Sequence, residues 1–156
     1  MPNPTSSKPP VATSKSTKPL LRCMHVTLEN KPGMLAKAAR ALADAGVNVE
    51  AVESEILGRS GFFRCYTDQP ELAEKTLRAK GYVVVAMEIL EVRLENRPGE
   101  AARMCETLSA AKVNIESMFG SSPGKGNGGL FYLRVDKPAE ALRELVAARF
   151  DATRHA

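Results

Sequence analysis

Four residues of this chain that together could bind a small molecule occur twice, at a spacing of 66 residues. The first set is Asn30, Pro32, Gly33 and Asn48, and the second is Asn96, Pro98, Gly99 and Asn114. An asparagine amide both donates and accepts hydrogen bonds, and a glycine leaves its backbone open to close approach. A polar amide and a Pro-Gly pair kept in both sets therefore indicate a shared role.

The repeat extends well beyond these residues. Between residues 28 and 50, 11 of 23 positions are identical to the positions 66 residues later, which is too many for chance. A repeat of this length indicates a duplicated unit, each copy being large enough for a small layered domain. We call the two units the first copy and the second copy.

Composition and charge exclude several classes of protein. The chain of 156 residues is 44% hydrophobic and 26% charged, as globular proteins are, and it has no apolar run long enough to span a membrane. The net charge is +4, but Lys8, Lys15 and Lys18 lie in an acid-free stretch of 20 residues, so nucleic-acid binding is not expected. Three cysteines make no disulfide framework, which favours a reducing cytoplasm.

Hydrophobic periodicity and the placement of proline and glycine predict the elements. Residues 1–20 are rich in Pro, Ser, Thr and Lys and are predicted to be a disordered tail. The first copy is predicted as strand 22–29, a helix opened by Pro32 and Gly33, strands 47–57 and 62–67, helix 70–80 and strand 82–87. The second copy is predicted as strand 89–95, helix 98–112, strands 113–120 and 130–135, helix 138–149 and strand 150–155.

This βαββαβ order predicts, in each copy, a four-stranded antiparallel sheet with both helices on one face. The buried side of the first helix is predicted to carry Leu35, Ala38, Ala39, Leu42 and Ala45. The other sheet face stays open, and its residues include aromatic and charged groups in both copies. Such a face can be solvated or can meet another sheet.

The strand, the Asn-x-Pro-Gly loop, the helix and the following Val-Asn-Val or Val-Asn-Ile strand resemble the ACT domain. The resemblance covers residues 22–153 and includes both copies. It implies an α+β chain of two ferredoxin-like βαββαβ units, with domains at 21–88 and 89–156. It also implies that the units pair side by side, and that an amino acid binds where the first strand-helix loop meets a neighbouring domain.

What the resemblance implies for the site agrees with simple physics. A helix N-terminus favours the α-carboxylate of an amino acid, and the amides of Asn30 and Asn96 can serve both the ammonium and the carboxylate group. In serine-sensing members, a second asparagine from a facing domain shares the ligand, but the polar residue that those members have two positions before the loop is Leu28 or Leu94 here. The expected ligand-binding residues are Asn30, Pro32, Gly33, Met34, Leu35, Asn48, Asn96, Gly99 and Asn114.

The two loops differ after the glycine. Met34 and Leu35 follow Gly33 in the first copy, whereas Glu100 follows Gly99 in the second. An acidic side chain beside a carboxylate site repels the ligand, so we expect the first copy to hold the better pocket.

Other interpretations of these residues remain open. Each loop asparagine could cap the helix that follows it. Cys23 and His25 lie two residues apart on one strand, but a zinc site needs three or four converging ligands, so we expect no metal. The stretch 120–129 lacks the spacing of a phosphate loop and is predicted to be a hairpin loop. Such a loop could fold over a ligand as a lid.

These observations predict a non-catalytic, cytoplasmic, amino-acid-binding regulatory protein. No arrangement of nucleophile and base is visible, and neither a cofactor nor a membrane is expected. The predicted partners are a free amino acid, an enzyme or regulator acting in trans, and a second copy of the chain in a homodimer. The alternative is a ligand-free interaction or dimerisation module, or the regulatory subunit of a metabolic enzyme.

Overall fold

A computed structural model describes residues 22–122 and 128–155. The predicted tail at 1–20 and the centre of the predicted hairpin loop at 123–127 lie outside the described residues. In the first copy the elements are β1 (Arg22–Glu29), α1 (Met34–Asp44), β2 (Ala51–Leu57), β3 (Ser60–Thr67), α2 (Pro70–Ala79) and β4 (Val84–Met87). In the second copy they are β5 (Ile89–Leu94), α3 (Glu100–Ala110), β6 (Ile115–Ser121), β7 (Gly129–Val135), α4 (Pro138–Ala147) and β8 (Asp151–His155).

Each copy forms a four-stranded antiparallel sheet. The strand orders are β2-β3-β1-β4 and β6-β7-β5-β8, so the two sheets have the same topology. Within the first sheet, β1 pairs along its whole length with β3, from Arg22 opposite Thr67 to Glu29 opposite Ser60. The predicted fold class, two ferredoxin-like βαββαβ units, is confirmed.

The helices of each copy cover one face of its sheet and enclose a separate core. Strand residues at every second position meet buried leucines of the helices, among them Leu42 in the first copy and Leu108 in the second. The predicted buried side of α1 is partly wrong, because Ala41 is buried while Leu35 and Ala39 are exposed. The buried stripe of α1 is therefore narrower than predicted and is centred on Ala38 and Leu42.

The second strand of the first copy begins four residues later than predicted. Residues 47–50 close the end of α1 instead, since the amide of Val47 donates to the carbonyl oxygen of Leu42 at 3.0 Å. Val47 is buried at the end of the helix, where an apolar residue commonly follows a glycine cap. The alternation of Val47 and Val49 is typical of a strand, but in the structure Val47 terminates the helix.

The open faces of the two sheets meet each other. Tyr66 stacks on Tyr132 with ring centroids 4.6 Å apart and lies 6.2 Å from the ring of Phe119. These rings form a third apolar cluster with Cys23 and Ile89. Within this chain the two copies therefore stack through their sheet faces, whereas the family resemblance implied side-by-side pairing.

Candidate functional site

Both strand-helix loops end in a glycine that begins the following helix. Gly33 precedes α1 with φ of 85°, and Gly99 precedes α3 with φ of 93°. This left-handed backbone favours glycine, and an ideal Cβ on either residue would meet no atom within 4 Å. Neither helix has a side-chain cap, so the capping interpretation of Asn30 and Asn96 is wrong. One amide of each first turn is used within the loop instead, since Met34 donates to Lys31 and Glu100 to Arg97.

Asn30 ties its loop to the neighbouring hairpin. Its side-chain Nδ2 donates to the carbonyl oxygen of Gly58 at 3.1 Å, and its backbone amide donates to that of Arg59 at the same distance. Met34 packs against the core of the first copy. Part of the hydrogen-bonding capacity that we expected for a ligand is thus already used within the fold at Asn30, and Asn96 of the second copy is not without a partner either.

The second asparagine of each set lies at the other end of the helix. Asn48 and Asn114 follow α1 and α3, whose 11 residues each span about 16 Å. The side chain of Asn48 donates to Glu50 at 2.8 Å, and the backbone amide of Asn114 donates to the carboxylate of Asp136 at 2.8 Å. The structure therefore does not bring the two asparagines of one copy together.

A cavity of about 500 Å³ lies against the loop of the second copy. It is bounded by the end of β5, the loop, the first turns of α3 and the connection between α4 and β8. The residues that line it are Arg93, Leu94, Glu95, Asn96, Arg97, Glu100, Arg103, Gly128, Arg149, Phe150 and Asp151. A cavity of this size accommodates a small molecule.

Arginines neutralise the acidic residue that we expected to weaken this site. Glu100 is buried and accepts from Arg97 at 2.7 Å and from Arg103 at 2.9 Å. Arg103 also donates to the carbonyl oxygen of Ala148 at 3.0 Å and lies 3.8 Å from the centre of the Phe150 ring. These guanidinium groups offset the repulsion between Glu100 and a bound carboxylate that the sequence predicted.

The ACT domain pair is the family whose model matches this chain, over residues 19–152. The chain belongs to the ACT domain family. No curated protein matches it.

Solved structures share the fold of this ACT domain pair. A Bacteroides thetaiotaomicron protein superposes with a TM-score of 0.80 at 23% identity, covering 89% of this chain and 96% of its own. The regulatory subunit of aspartate kinase from Thermus thermophilus gives 0.59 at 18% identity, covering 82% and 91%. Aspartate kinase from Clostridium acetobutylicum gives 0.54 at 14% identity, covering 82% of this chain and 32% of its own.

The first ACT copy has a related groove, which lies along α1 and farther from the strand-helix loop than the cavity of the second copy. The groove measures about 520 Å³ and includes Lys37 and Tyr82, which the repeat aligns with Arg103 and Phe150. Neither Asn30 nor Gly33 lines it. Both copies thus place a cation of the first helix beside an aromatic residue that precedes the last strand, and only the second copy joins this groove to the loop.

Two basic residues of the second copy hold a strained backbone. Lys112 and Arg149 have φ of 55° and 64°, and the repeat aligns them with Gly46 and Gly81, whose φ values are 76° and 85°. A left-handed conformation costs a non-glycine residue about 1 kcal/mol. Arg149 is one of the residues that line the cavity, so the strained position belongs to the cavity wall.

Replacing either residue by glycine should therefore stabilise the ACT pair. We expect Lys112→Gly and Arg149→Gly each to raise the free energy of unfolding by about 1 kcal/mol, because glycine adopts this backbone without strain. Urea unfolding followed by circular dichroism measures the change. Unchanged or reduced stability in both variants would contradict the argument.

The carboxyl of Glu100 gives the second copy a dependence on pH. Its hydrogen bond to Arg103 is the main cause that lowers its pKa below the ordinary value of 4.5. A lowered folded-state pKa stabilises the fold above the unfolded pKa and ceases to do so as pH falls through the folded pKa.

Glu100→Gln should therefore be less stable than the wild type at pH 7, and the difference should shrink as pH falls below 4.5. Urea unfolding at pH 7 and at successively lower pH measures both proteins. A difference that stays constant over this range would show that the charge of Glu100 does not contribute.

Cys23 and His25, from which no metal site was expected, have different surroundings, and only Cys23 belongs to the contact between the two sheets. Cys23 is buried and shares a hydrogen bond with Tyr66, and burial raises the pKa of its thiol to about 11. His25 accepts at Nδ1 from Arg64 at 3.2 Å. Among residues 22–122 and 128–155, no three His, Cys, Asp or Glu side chains are grouped to hold a metal ion.

In the same ranges, each helix is too short or too polar to span a membrane.

Sequence reasoning missed most of the cavity wall. Of the residues that line the cavity, only Asn96 was expected to bind a ligand. Arg103 and Phe150 had a usable signal, because they replace Lys37 and Tyr82 with residues of the same chemical kind. Arg149 could have been recognised more easily, since the repeat aligns this basic residue with Gly81, the glycine that follows α2 in the first copy.

Proposed function

We propose that this ACT domain pair is a non-catalytic regulatory protein that binds a free amino acid at the loop of its second copy. The observation that carries the proposal is the cavity of about 500 Å³ beside Asn96, next to the first turn of α3. Backbone amides at a helix N-terminus and nearby guanidinium groups suit a carboxylate. The amide of Asn96 suits the ammonium group.

The two loops are proposed to differ in how strongly they bind the amino acid. Asn96 lines the principal site, and Gly99 begins the helix whose first turn borders it. In the first copy, a loop that binds an amino acid more weakly is formed by Asn30, Pro32, Gly33, Met34 and Leu35. Asn48 and Asn114 join a site only if a second domain brings them to a loop. The units are those predicted from the repeat, at 21–88 and 89–156.

Regulation in trans follows from linkage. A ligand that binds one arrangement of the two units better than another shifts the protein toward it, and an enzyme or regulator can recognise that arrangement. One protein of similar fold is a regulatory subunit of aspartate kinase, which supports a regulatory role of this kind.

A homodimer is part of the proposal. Edge strand β2 exposes Val52, Ile56 and Leu57, with more than two fifths of the surface of each residue accessible. An exposed apolar edge strand favours pairing with another chain. Sedimentation equilibrium tests this, and a monomer at every concentration would contradict it.

A thermal-shift screen against the twenty amino acids tests the function. An amino acid at about 100 times its dissociation constant should add about 2.7 kcal/mol to the free energy of unfolding. Asn96→Ala should lose the shift, and Asn30→Ala, its counterpart in the first copy, should keep it. No shift with any amino acid would favour the alternative, a ligand-free interaction module.

A further inference from the structure

More arginines than carboxylates line the cavity of the second copy. Four arginines line it, against the three carboxylates of Glu95, Glu100 and Asp151. An amino acid with a second carboxylate could pair with an arginine of the wall that has no carboxylate partner of its own, whereas a neutral side chain could not. The charge of the wall therefore bears on the class of ligand.

Three of the four arginines already have carboxylate partners. Arg97 and Arg103 contact Glu100, and Arg97 also contacts Glu95 at 3.1 Å. Arg93 lies 3.4 Å from Glu91 and 3.7 Å from Asp151. These pairs use all three acids of the wall and Glu91 beside it, so each of these three arginines has at least one carboxylate partner.

Arg149 is the one arginine of the wall without a carboxylate partner among the described residues. Its side chain makes no ion pair or hydrogen bond with any residue in the described ranges 22–122 and 128–155, whereas its backbone amide donates to the carbonyl oxygen of Val146 at 3.0 Å. Its φ of 64° is the left-handed backbone at which the first copy has Gly81. A residue that strains the fold, lines a cavity and has no partner within the described protein is placed to meet an external anion.

We propose that the second copy selects an acidic amino acid, whose side-chain carboxylate pairs with Arg149. This inference rests on the proposed amino-acid site and adds the class of ligand. A carboxylate and a guanidinium form two parallel charge-assisted hydrogen bonds. An amide side chain of the same shape offers one acceptor oxygen and no charge, so the site should distinguish an acid from its amide.

Isothermal titration calorimetry of the full chain with four probes tests the proposal. The probes are L-aspartate, L-asparagine, L-glutamate and L-glutamine, which form two pairs of nearly equal shape. We expect at least one acid to bind tenfold or more tightly than its own amide, and we expect this preference to weaken as salt is raised.

Variants of Arg149 separate its charge from its backbone. Arg149→Gly should reduce the preference for the acid to less than about threefold, although it should fold more stably than the wild type. Arg149→Lys should keep a preference, because it keeps the charge. Lys112→Gly relieves the same kind of strain outside this cavity and should leave the affinities unchanged.

The outcomes distinguish this inference from the proposed function. If an amide binds as tightly as its acid, or if Arg149→Gly keeps the full preference, the inference is overturned and the amino-acid site stands. If none of the four probes binds while another amino acid gives a thermal shift, the inference is again overturned alone. If no amino acid binds at all, both fail.

Discussion

Tyr66→Ala should lower the free energy of unfolding by about 3–5 kcal/mol, the largest stability effect that we expect from one substitution in this chain. Tyr66 is 2% exposed, and its ring stacks on Tyr132 between the two sheets. Removing the ring leaves a cavity in the apolar cluster that joins the two ACT units. Thermal and urea unfolding measure the loss.

Phe62→Ala is the matched control for this prediction. Phe62 lies on the same strand and the same sheet face, but it is partly exposed and stacks on His25 and Arg64 instead of the second sheet. Its loss should cost less, and the unfolding transition should stay single. Tyr66→Ala should also broaden or split the transition, since two small units are then less coupled. Equal costs for the two variants would contradict a stabilising contact between the sheets.

Gly99→Val should weaken amino-acid binding by at least a hundredfold. A β-branched residue at φ of 93° strains the start of α3 by about 1–3 kcal/mol. Its side chain would also occupy space that holds no protein atom within 4 Å of an ideal Cβ. Calorimetry with an amino acid that the thermal-shift screen identifies measures the loss.

Gly33→Val is the control for Gly99→Val, because Gly33 has the same backbone and the same open surroundings in the first copy. It should destabilise the chain by a similar amount and leave the affinity of the second copy within about threefold of the wild type. If both substitutions weaken binding equally, the ligand does not depend specifically on the second loop. If neither does, the first turns of the helices are not part of the site.

Much of the fold could be predicted from the sequence because it depends on local order and a repeat. Alternation in β1 and the proline that starts α2 act through neighbouring residues, so their positions agree with the structure to within a few residues. The start of β2 could not be found in this way. Whether Val47 continues a helix end or starts a strand depends on its hydrogen bond to Leu42 and on its burial.

The site was harder to predict because its wall comes from distant parts of the chain. Glu100 and Arg103 are three residues apart on one helix, and their pairing could have been inferred from spacing alone. Arg149 reaches the same cavity from the end of α4, which only the folded chain shows. Likewise, nothing in the sequence tells that Tyr66 meets Tyr132 instead of water.

The most direct test of the central claim is an NMR titration of the labelled chain with each amino acid that gives a thermal shift. We predict that the backbone amide resonances of residues 96–103 and 149–151 change most, and that those of residues 30–37 change little. Large changes confined to the first loop, or to the surface of edge strand β2, would contradict an amino-acid site in the second copy.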